Sequence, residues 1–257
     1  SKNATLPIFF ASILADAPLK LSNTPQLSDV STTLRLLMDM GSSFVLEEDS
    51  SISIDSSNLT NLIAEYELVK TMRASILTLG PMLAKYKKAK ISLPGGCAIG
   101  TRPVNLHLSA LEKMGAIIEV KNGYIYASAK ELVGAEINFD LISVTATENI
   151  IMAATLAKGI TTINNAAQEP EVTDLINCLK KMGAKISGSN TSTLVIEGVS
   201  HLNGINYSIC PDRIEAGTYL VAAAITGGKI TVNNIEPDSM RAVIGKLIET
   251  GADIQTN

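Results

Sequence analysis

Leu36-Leu37-Met38-Asp39-Met40-Gly41 is the stretch on which the fold turns. Its ending recurs as Leu111-Glu112-Lys113-Met114-Gly115, Leu179-Lys180-Lys181-Met182-Gly183 and Leu247-Ile248-Glu249-Thr250-Gly251. The closing glycines lie 74, 68 and 68 residues apart. Self-similarity at a near-fixed period marks a chain built from copies of one unit. A glycine just past the last periodic apolar residue caps a helix, so each copy predicts an amphipathic helix followed by a strand. A proline stands near the start of each helix, at Pro25, Pro103, Pro170 and Pro237, where its missing N–H costs nothing.

Upstream of each proline lies an alternating run: Leu19–Leu21, Lys90–Leu93, Thr161–Ile163 and Lys229–Val232. Before each of these comes a very apolar segment: Leu6–Leu14, Val69–Leu83, Ile150–Ala157 and Tyr219–Ile225. One repeat therefore reads helix, strand, helix, strand, strand, with a further strand leading to the next copy. A helix apolar on nearly every side belongs in the middle of a domain. Alternating strands such as Ser51–Asp55 and Thr193–Glu197 have one wet face. The patterns predict α/β repeats with helices inside and sheets outside. Three copies close around a pseudo-threefold axis in a first domain, residues 1–210, and an incomplete fourth copy opens a second, 211–257.

Composition narrows the class. The chain has 257 residues, 46% hydrophobic, with a mean hydropathy of +0.24 and a net charge of −4. That is ample apolar content for a core and excludes wholesale disorder. No Lys/Arg block stands out and only 4% of residues are aromatic, which argues against nucleic acid as a partner. Lys2, Leu6–Leu14 and Ala15-Asp16-Ala17 imitate a secretory signal, but similar segments recur deep in the chain and are architecture. None reaches the ~18 consecutive apolar residues of a membrane span. Cys97, Cys178, Cys210, His107 and His201 are the only cysteines and histidines. Their spacing matches no metal site, so the expectation is a reduced cytoplasmic chain without metal or cofactor.

The copies differ most in one loop. From strand end to proline the connection is 4 residues in copy one, 7 in copy three and 5 in copy four, but 10 in copy two. The expanded loop reads Pro94-Gly95-Gly96-Cys97-Ala98-Ile99-Gly100-Thr101-Arg102-Pro103. A cation five residues from a loop cysteine favours its thiolate. Cys97 is then a nucleophile, a general acid when protonated, or simply a small loop residue. Arg73 interrupts the second apolar helix, whose counterparts carry no cation midway. It either snorkels or pairs, or it projects into a cleft to hold phosphate or carboxylate. Lys2-Asn3 and Arg213 hold related places before the first and fourth apolar helices.

Ser1-Lys2-Asn3-Ala4, Thr71-Met72-Arg73-Ala74-Ser75, the Cys97 loop and Pro211-Asp212-Arg213-Ile214-Glu215 together resemble the UDP-N-acetylglucosamine 1-carboxyvinyltransferase family, in the same order and along the whole chain. The resemblance implies an inside-out α/β barrel of the enolpyruvyl transferase type, six repeats in two domains. It also implies an enzyme that transfers the enolpyruvyl group of phosphoenolpyruvate to the 3-hydroxyl of UDP-N-acetylglucosamine and releases phosphate. That is an early step of peptidoglycan synthesis, hence of cell wall, cell shape and division. The reaction proceeds by addition and elimination with no cofactor and no metal.

By the same resemblance Cys97 protonates the enolpyruvyl methylene carbon and can bond to phosphoenolpyruvate. Lys2 and Arg102 clamp its phosphate and carboxylate, and Asn3 helps hold the reacting hydroxyl. Arg73 belongs to the nucleotide-sugar site. Arg102, Pro103, Val104, Asn105 and Leu106 line the uridine, and Leu141, Ile142, Ser143 and Val144 touch the diphosphate and uracil. Arg213 belongs to the same substrate-binding set. The family commonly has Lys at Ser28 and Leu141, Asp at Asn105 and Gly at Thr145. Two missing cations would weaken anion binding by roughly 1–3 kcal/mol per charged hydrogen bond unless replaced. The family's carboxylate base and further arginines fall beyond Asn257, so the expectation is a fragment holding half a site, inactive alone. Two other readings stand beside this one. The shikimate-pathway enolpyruvyl transferase shares the fold but does not depend on such a cysteine, and a non-catalytic UDP-sugar-binding remnant fits Ser28 and Leu141.

Overall fold

Each of the four closing glycines sits in the left-handed region, at φ +109° (Gly41), +95° (Gly115), +114° (Gly183) and +95° (Gly251), where an L side chain is strained. In every copy the N–H after the glycine reaches the carbonyl five residues back. The pairs are Ser42 to Leu37 (2.9 Å), Ala116 to Leu111 (3.0 Å), Ala184 to Leu179 (2.9 Å) and Ala252 to Leu247 (3.2 Å). This ending satisfies carbonyls the helix would otherwise orphan, and it turns the chain from helix to strand at the same point each time.

The computed structural model of the chain describes residues 1–70, 72–93 and 104–256. The described residues form two compact units, one of Lys2–Ile209 and one of Ser1 with Cys210–Asn257. In the larger unit, copy one runs α1 (Lys2–Ala11), β1 (Leu19–Ser22), α2 (Ser28–Asp39), β2 (Ser43–Leu46), β3 (Ile52–Asp55) and β4 (Ile63–Ala64). Copy two has a short α3 (Tyr66–Val69), a 3-10 segment (Arg73–Thr78), α4 (Leu79–Tyr86), β5 (Lys88–Ser92), α5 (Asn105–Lys113), β6 (Ile117–Lys121), β7 (Tyr124–Ser128) and β8 (Glu136–Asn138). Copy three has α6 (Val144–Thr155), β9 (Ile160–Asn164), α7 (Pro170–Met182), β10 (Lys185–Ser187), β11 (Thr193–Glu197) and β12 (Asn206–Ser208).

These strands make three four-stranded sheets, ordered β12-β1-β3-β2, β4-β5-β7-β6 and β8-β9-β11-β10. Within each, the last strand of the preceding copy lies parallel to the first strand of the next. Ile63 pairs with Lys90, Glu136 with Thr162, and Lys20 with Asn206. The third pairing carries copy three back onto copy one, so the ring of copies closes. Inside it, α1 is buried from Ala4 to Ala11 and α6 from Ala146 to Thr155. Phe9, Phe10, Ile8 and Ile13 are among the largest fully buried side chains, each worth about 1.5–3 kcal/mol of apolar burial. Helices inside and one-face-wet strands outside are what the apolar and alternating runs predict.

Three expectations are corrected. The second apolar segment is not one helix from Val69 to Leu83. Met72 is extended (φ −138°, ψ 104°), and the chain restarts as the 3-10 segment at Arg73. A half-buried cation at the start of a segment can reach out of the core, whereas one in mid-helix could not. The fourth apolar helix, α8 (Arg213–Thr226), is not buried within its unit: Tyr219 is 55% and Ile225 83% exposed. The other described helical elements there are a 3-10 turn (Pro237–Met240) and α9 (Arg241–Glu249), too few to cover it. Lys229–Val232 forms no strand, because the described residues of that unit offer no second strand to pair with.

Candidate functional site

The buried helices α1 and α6 and the buried 3-10/α4 segment each carry polar residues in the first turn: Lys2-Asn3, Thr145 and Arg73. Free N–H groups and the positive end of the peptide dipoles collect at such termini, a setting that favours anions. Ser143 caps α6 by accepting from the Ala146 N–H at 3.3 Å. Leu141 and Ile142, just before it, are 71% and 61% exposed. On α5, Asn105 is exposed, Val104 and Leu106 are half-buried and His107 is buried.

A buried polar network ties these elements together. The Asn149 Oδ1 accepts from the Gly80 N–H at 2.7 Å, while its Nδ2 donates to the Ile76 carbonyl at 3.1 Å. The same Nδ2 faces His107 Nδ1 at 2.9 Å, and His107 Nε2 faces Thr145 Oγ1 at 3.4 Å. Burial first, and the Arg73 guanidinium second, push the His107 imidazole down to about 4, so it is neutral at pH 7. Gly80 is required here: a Cβ would stand 2.3 Å from the Asn149 carbonyl oxygen.

A second set of bonds runs from Lys2 toward Arg73. Lys2 Nζ pairs with Asp29 Oδ2 at 3.0 Å. The Asp29 carbonyl accepts from Thr33 Oγ1 at 2.8 Å, and that oxygen lies 3.1 Å from Met72 Sδ, one residue before Arg73. Asp29 lies in the first turn of α2, directly after Ser28. Asn3 is exposed on α1, and Pro7 removes the N–H that would take up the Asn3 carbonyl within the helix. Lys2, Arg73, Val104–Leu106 and Leu141–Val144 thus stand on neighbouring elements at the N-terminal ends of the buried helices.

Arg213 belongs to the smaller unit and is the first residue of α8. Asp212 caps that helix, accepting from the Ile214 and Glu215 N–H groups at 2.9 and 3.0 Å. Arg213, Ile214, Gly217, Met240 and Val243 help line an open groove of about 320 Å³ in this unit. Cys97, Arg102 and Pro103 lie outside the described residues. Of the other thiols, Cys178 is buried and Cys210 half-buried. Burial pushes the Cys178 thiol up to about 12. Among the described residues no three metal-ligating side chains gather, and no helix is long and apolar enough to cross a membrane.

His107 and Asn149 were not singled out by pattern reading. The available signal is an amide directly before the apolar run Ile150–Ala157, in a helix buried from Ala146 to Thr155, where a polar side chain needs a dedicated partner.

Comparison with known proteins agrees with this architecture. The family model for EPSP synthase (3-phosphoshikimate 1-carboxyvinyltransferase) matches residues 1–257. The chain belongs to the EPSP synthase family. Among its relatives, a protein of Ruthia magnifica subsp. Calyptogena magnifica named UDP-N-acetylglucosamine 1-carboxyvinyltransferase is 75% identical over 256 residues. Proteins of the same name from Vesicomyosocius okutanii subsp. Calyptogena okutanii and Hydrogenovibrio crunogenus are 73% and 56% identical. Each alignment covers 100% of this chain and 61% of the relative, so the chain spans less than two thirds of their length. Two solved structures share the fold. The enolpyruvyl transferase NikO from Streptomyces tendae has a TM-score of 0.77 at 20% identity, over 87% of this chain and 53% of that one. An EPSP synthase from Acinetobacter baumannii has 0.77 at 18%, over 98% and 58%. The enolpyruvyl transferase fold that the resemblance implied is therefore the fold of this family member.

Proposed function

We propose that this chain is part of an enolpyruvyl transferase that joins phosphoenolpyruvate to the 3-hydroxyl of UDP-N-acetylglucosamine and releases phosphate. The observation that carries the reading is the 75% identity over 256 residues to a protein of that name. Both substrates are anions, and helix starts bearing Lys2 and Arg73 suit them. On this reading Lys2, Asn3 and Arg102 serve phosphoenolpyruvate and the reacting hydroxyl, and Arg213 belongs to the substrate-binding set. Arg73, Pro103, Val104, Asn105, Leu106 and Leu141–Val144 serve the nucleotide sugar. Cys97 delivers the proton to the methylene carbon in the addition step, and elimination of phosphate follows. Residues 1–210 form the domain with the catalytic loop and 211–257 belong to a second. The reading assigns the enzyme to the cytoplasm and to peptidoglycan synthesis.

The test is phosphate release by the full-length parent with phosphoenolpyruvate and either UDP-N-acetylglucosamine or shikimate 3-phosphate. Turnover with the nucleotide sugar alone is expected. Strict preference for shikimate 3-phosphate would overturn the reading.

A further inference from the structure

We propose that Asn149 is a positioning residue of the nucleotide-sugar site: it holds the buried His107 ring as the Nε2–H tautomer, leaving the Thr145 hydroxyl to donate to the ligand. The ligand half of this inference rests on the function proposed above; the tautomer half does not.

The argument is one of donor and acceptor accounting. The Gly80 N–H can only donate, so the Asn149 atom at 2.7 Å from it is the amide oxygen. The Ile76 carbonyl can only accept, so the atom at 3.1 Å from it is the amide nitrogen. Two backbone groups thus agree on the orientation of one side chain. The amide nitrogen has a second proton, and His107 Nδ1 lies 2.9 Å away. Nδ1 must then offer its lone pair, which places the ring proton of a neutral imidazole on Nε2.

The ring has no room to do otherwise. His107 is 3% and Asn149 0% exposed, and the Arg73 cation nearby disfavours a second proton. Nε2–H points at Thr145 Oγ1, 3.4 Å away, so the threonine oxygen accepts and its own proton turns elsewhere. Thr145 is half-buried in the first turn of α6, beside Leu141–Val144. Through this relay a buried amide sets the polarity of a hydroxyl at the helix start where a diphosphate would lie.

The chain has only two histidines, His107 and the exposed His201, so long-range nitrogen–proton NMR reads the ring directly, with His201 as internal reference. The free wild-type chain is expected to show His107 protonated on Nε2 alone at pH 7. In Asn149→Asp a carboxylate faces Nδ1, and the His107 midpoint should rise by about one to three units. Thr145→Val keeps the tautomer. Each variant should weaken UDP-N-acetylglucosamine binding roughly tenfold, about 1.4 kcal/mol, and the double variant no further. A wild-type ring protonated on Nδ1 overturns the lock, and strictly additive losses overturn the relay. His107 and Thr145 resonances that stay still when UDP-N-acetylglucosamine is added overturn the site reading instead, independently of the tautomer.

Discussion

The Asn23 side-chain amide donates to the carbonyl of Ile209, 186 residues later in sequence, at 2.8 Å. Asn165 makes the corresponding bond to the Phe139 carbonyl at 2.9 Å. Both asparagines are left-handed, at φ 58° and 57°, and Asn234 adopts the same backbone in the fourth copy. Asn23 and Asn165 each follow the first strand of their repeat. In the first and third copies this asparagine pins the strand arriving from the preceding repeat. Copy two has Leu93 at that place, ahead of its expanded loop.

Asn23 therefore fastens the closure of the ring. Asn23→Ala should lose the hydrogen bond, about 1 kcal/mol, and add left-handed strain of about 1–2 kcal/mol. Asn23→Gly should lose the bond but escape the strain. Urea unfolding midpoints of the two variants check this, and equal losses would refute the strain component.

His107 gives the stability an acid limb. Its pKa is about 4 in the folded chain against about 6.5 when exposed. Between those values the unfolded state binds more protons, so stability falls as pH drops from 6.5 to 4, by about 3 kcal/mol. Urea unfolding at pH 7, 5.5 and 4 measures the slope. His107→Gln should flatten this limb, whatever it costs at pH 7.

Glu148 works in the opposite sense. It is 2% exposed, its Oε1 has no hydrogen-bond partner among the described residues, and burial, then Glu171 and Glu169, raise its pKa well above 4.5. The folded state holds its proton longer, so stability from this group falls as pH rises above 4.5. Each unit of the rise is worth about 1.4 kcal/mol. Glu148→Gln should stabilise the chain at pH 7 and remove that decline, as thermal melts from pH 5 to 8 would show.

Gly80 marks a close approach of α4 to α6. With a Cβ 2.3 Å from the Asn149 carbonyl oxygen and 2.4 Å from its Oδ1, Gly80→Ala should cost about 3 kcal/mol or more. Gly245 in α9 meets nothing within 4 Å, and Gly245→Ala should stabilise that helix by about 0.5–1 kcal/mol. Calorimetry of both variants separates packing from propensity.

Thiol reactivity should be unequal. Cys178, pushed up to about 12 by burial, has almost no thiolate at pH 7. Brief treatment with iodoacetamide followed by peptide mass spectrometry should find Cys97 labelled first. Labelling of Cys178 at an equal or faster rate would count against Cys97 as the reactive thiol.

The sequence alone determined the repeat. Four helix endings, four left-handed glycines and the alternating strands of the first three copies are local matters, set by the few φ values a glycine permits and by which face of each element is apolar. It also carried the asparagine signal, since Asn23, Asn165 and Asn234 stand at one place in the repeat. Tertiary structure alone decided the rest. Pairing Lys20 with Asn206 is a choice between distant edges that no local pattern encodes. The break at Met72 arises because a cation cannot stay inside the core that a continuous helix would require. The exposure of Tyr219 and Ile225 in α8 shows that an apolar helical run is buried only where neighbours cover it. The Asn149–His107 pair exists because α4, α5 and α6 converge on one buried point, where an unpaired amide would be costly and a matched one fixes a single tautomer.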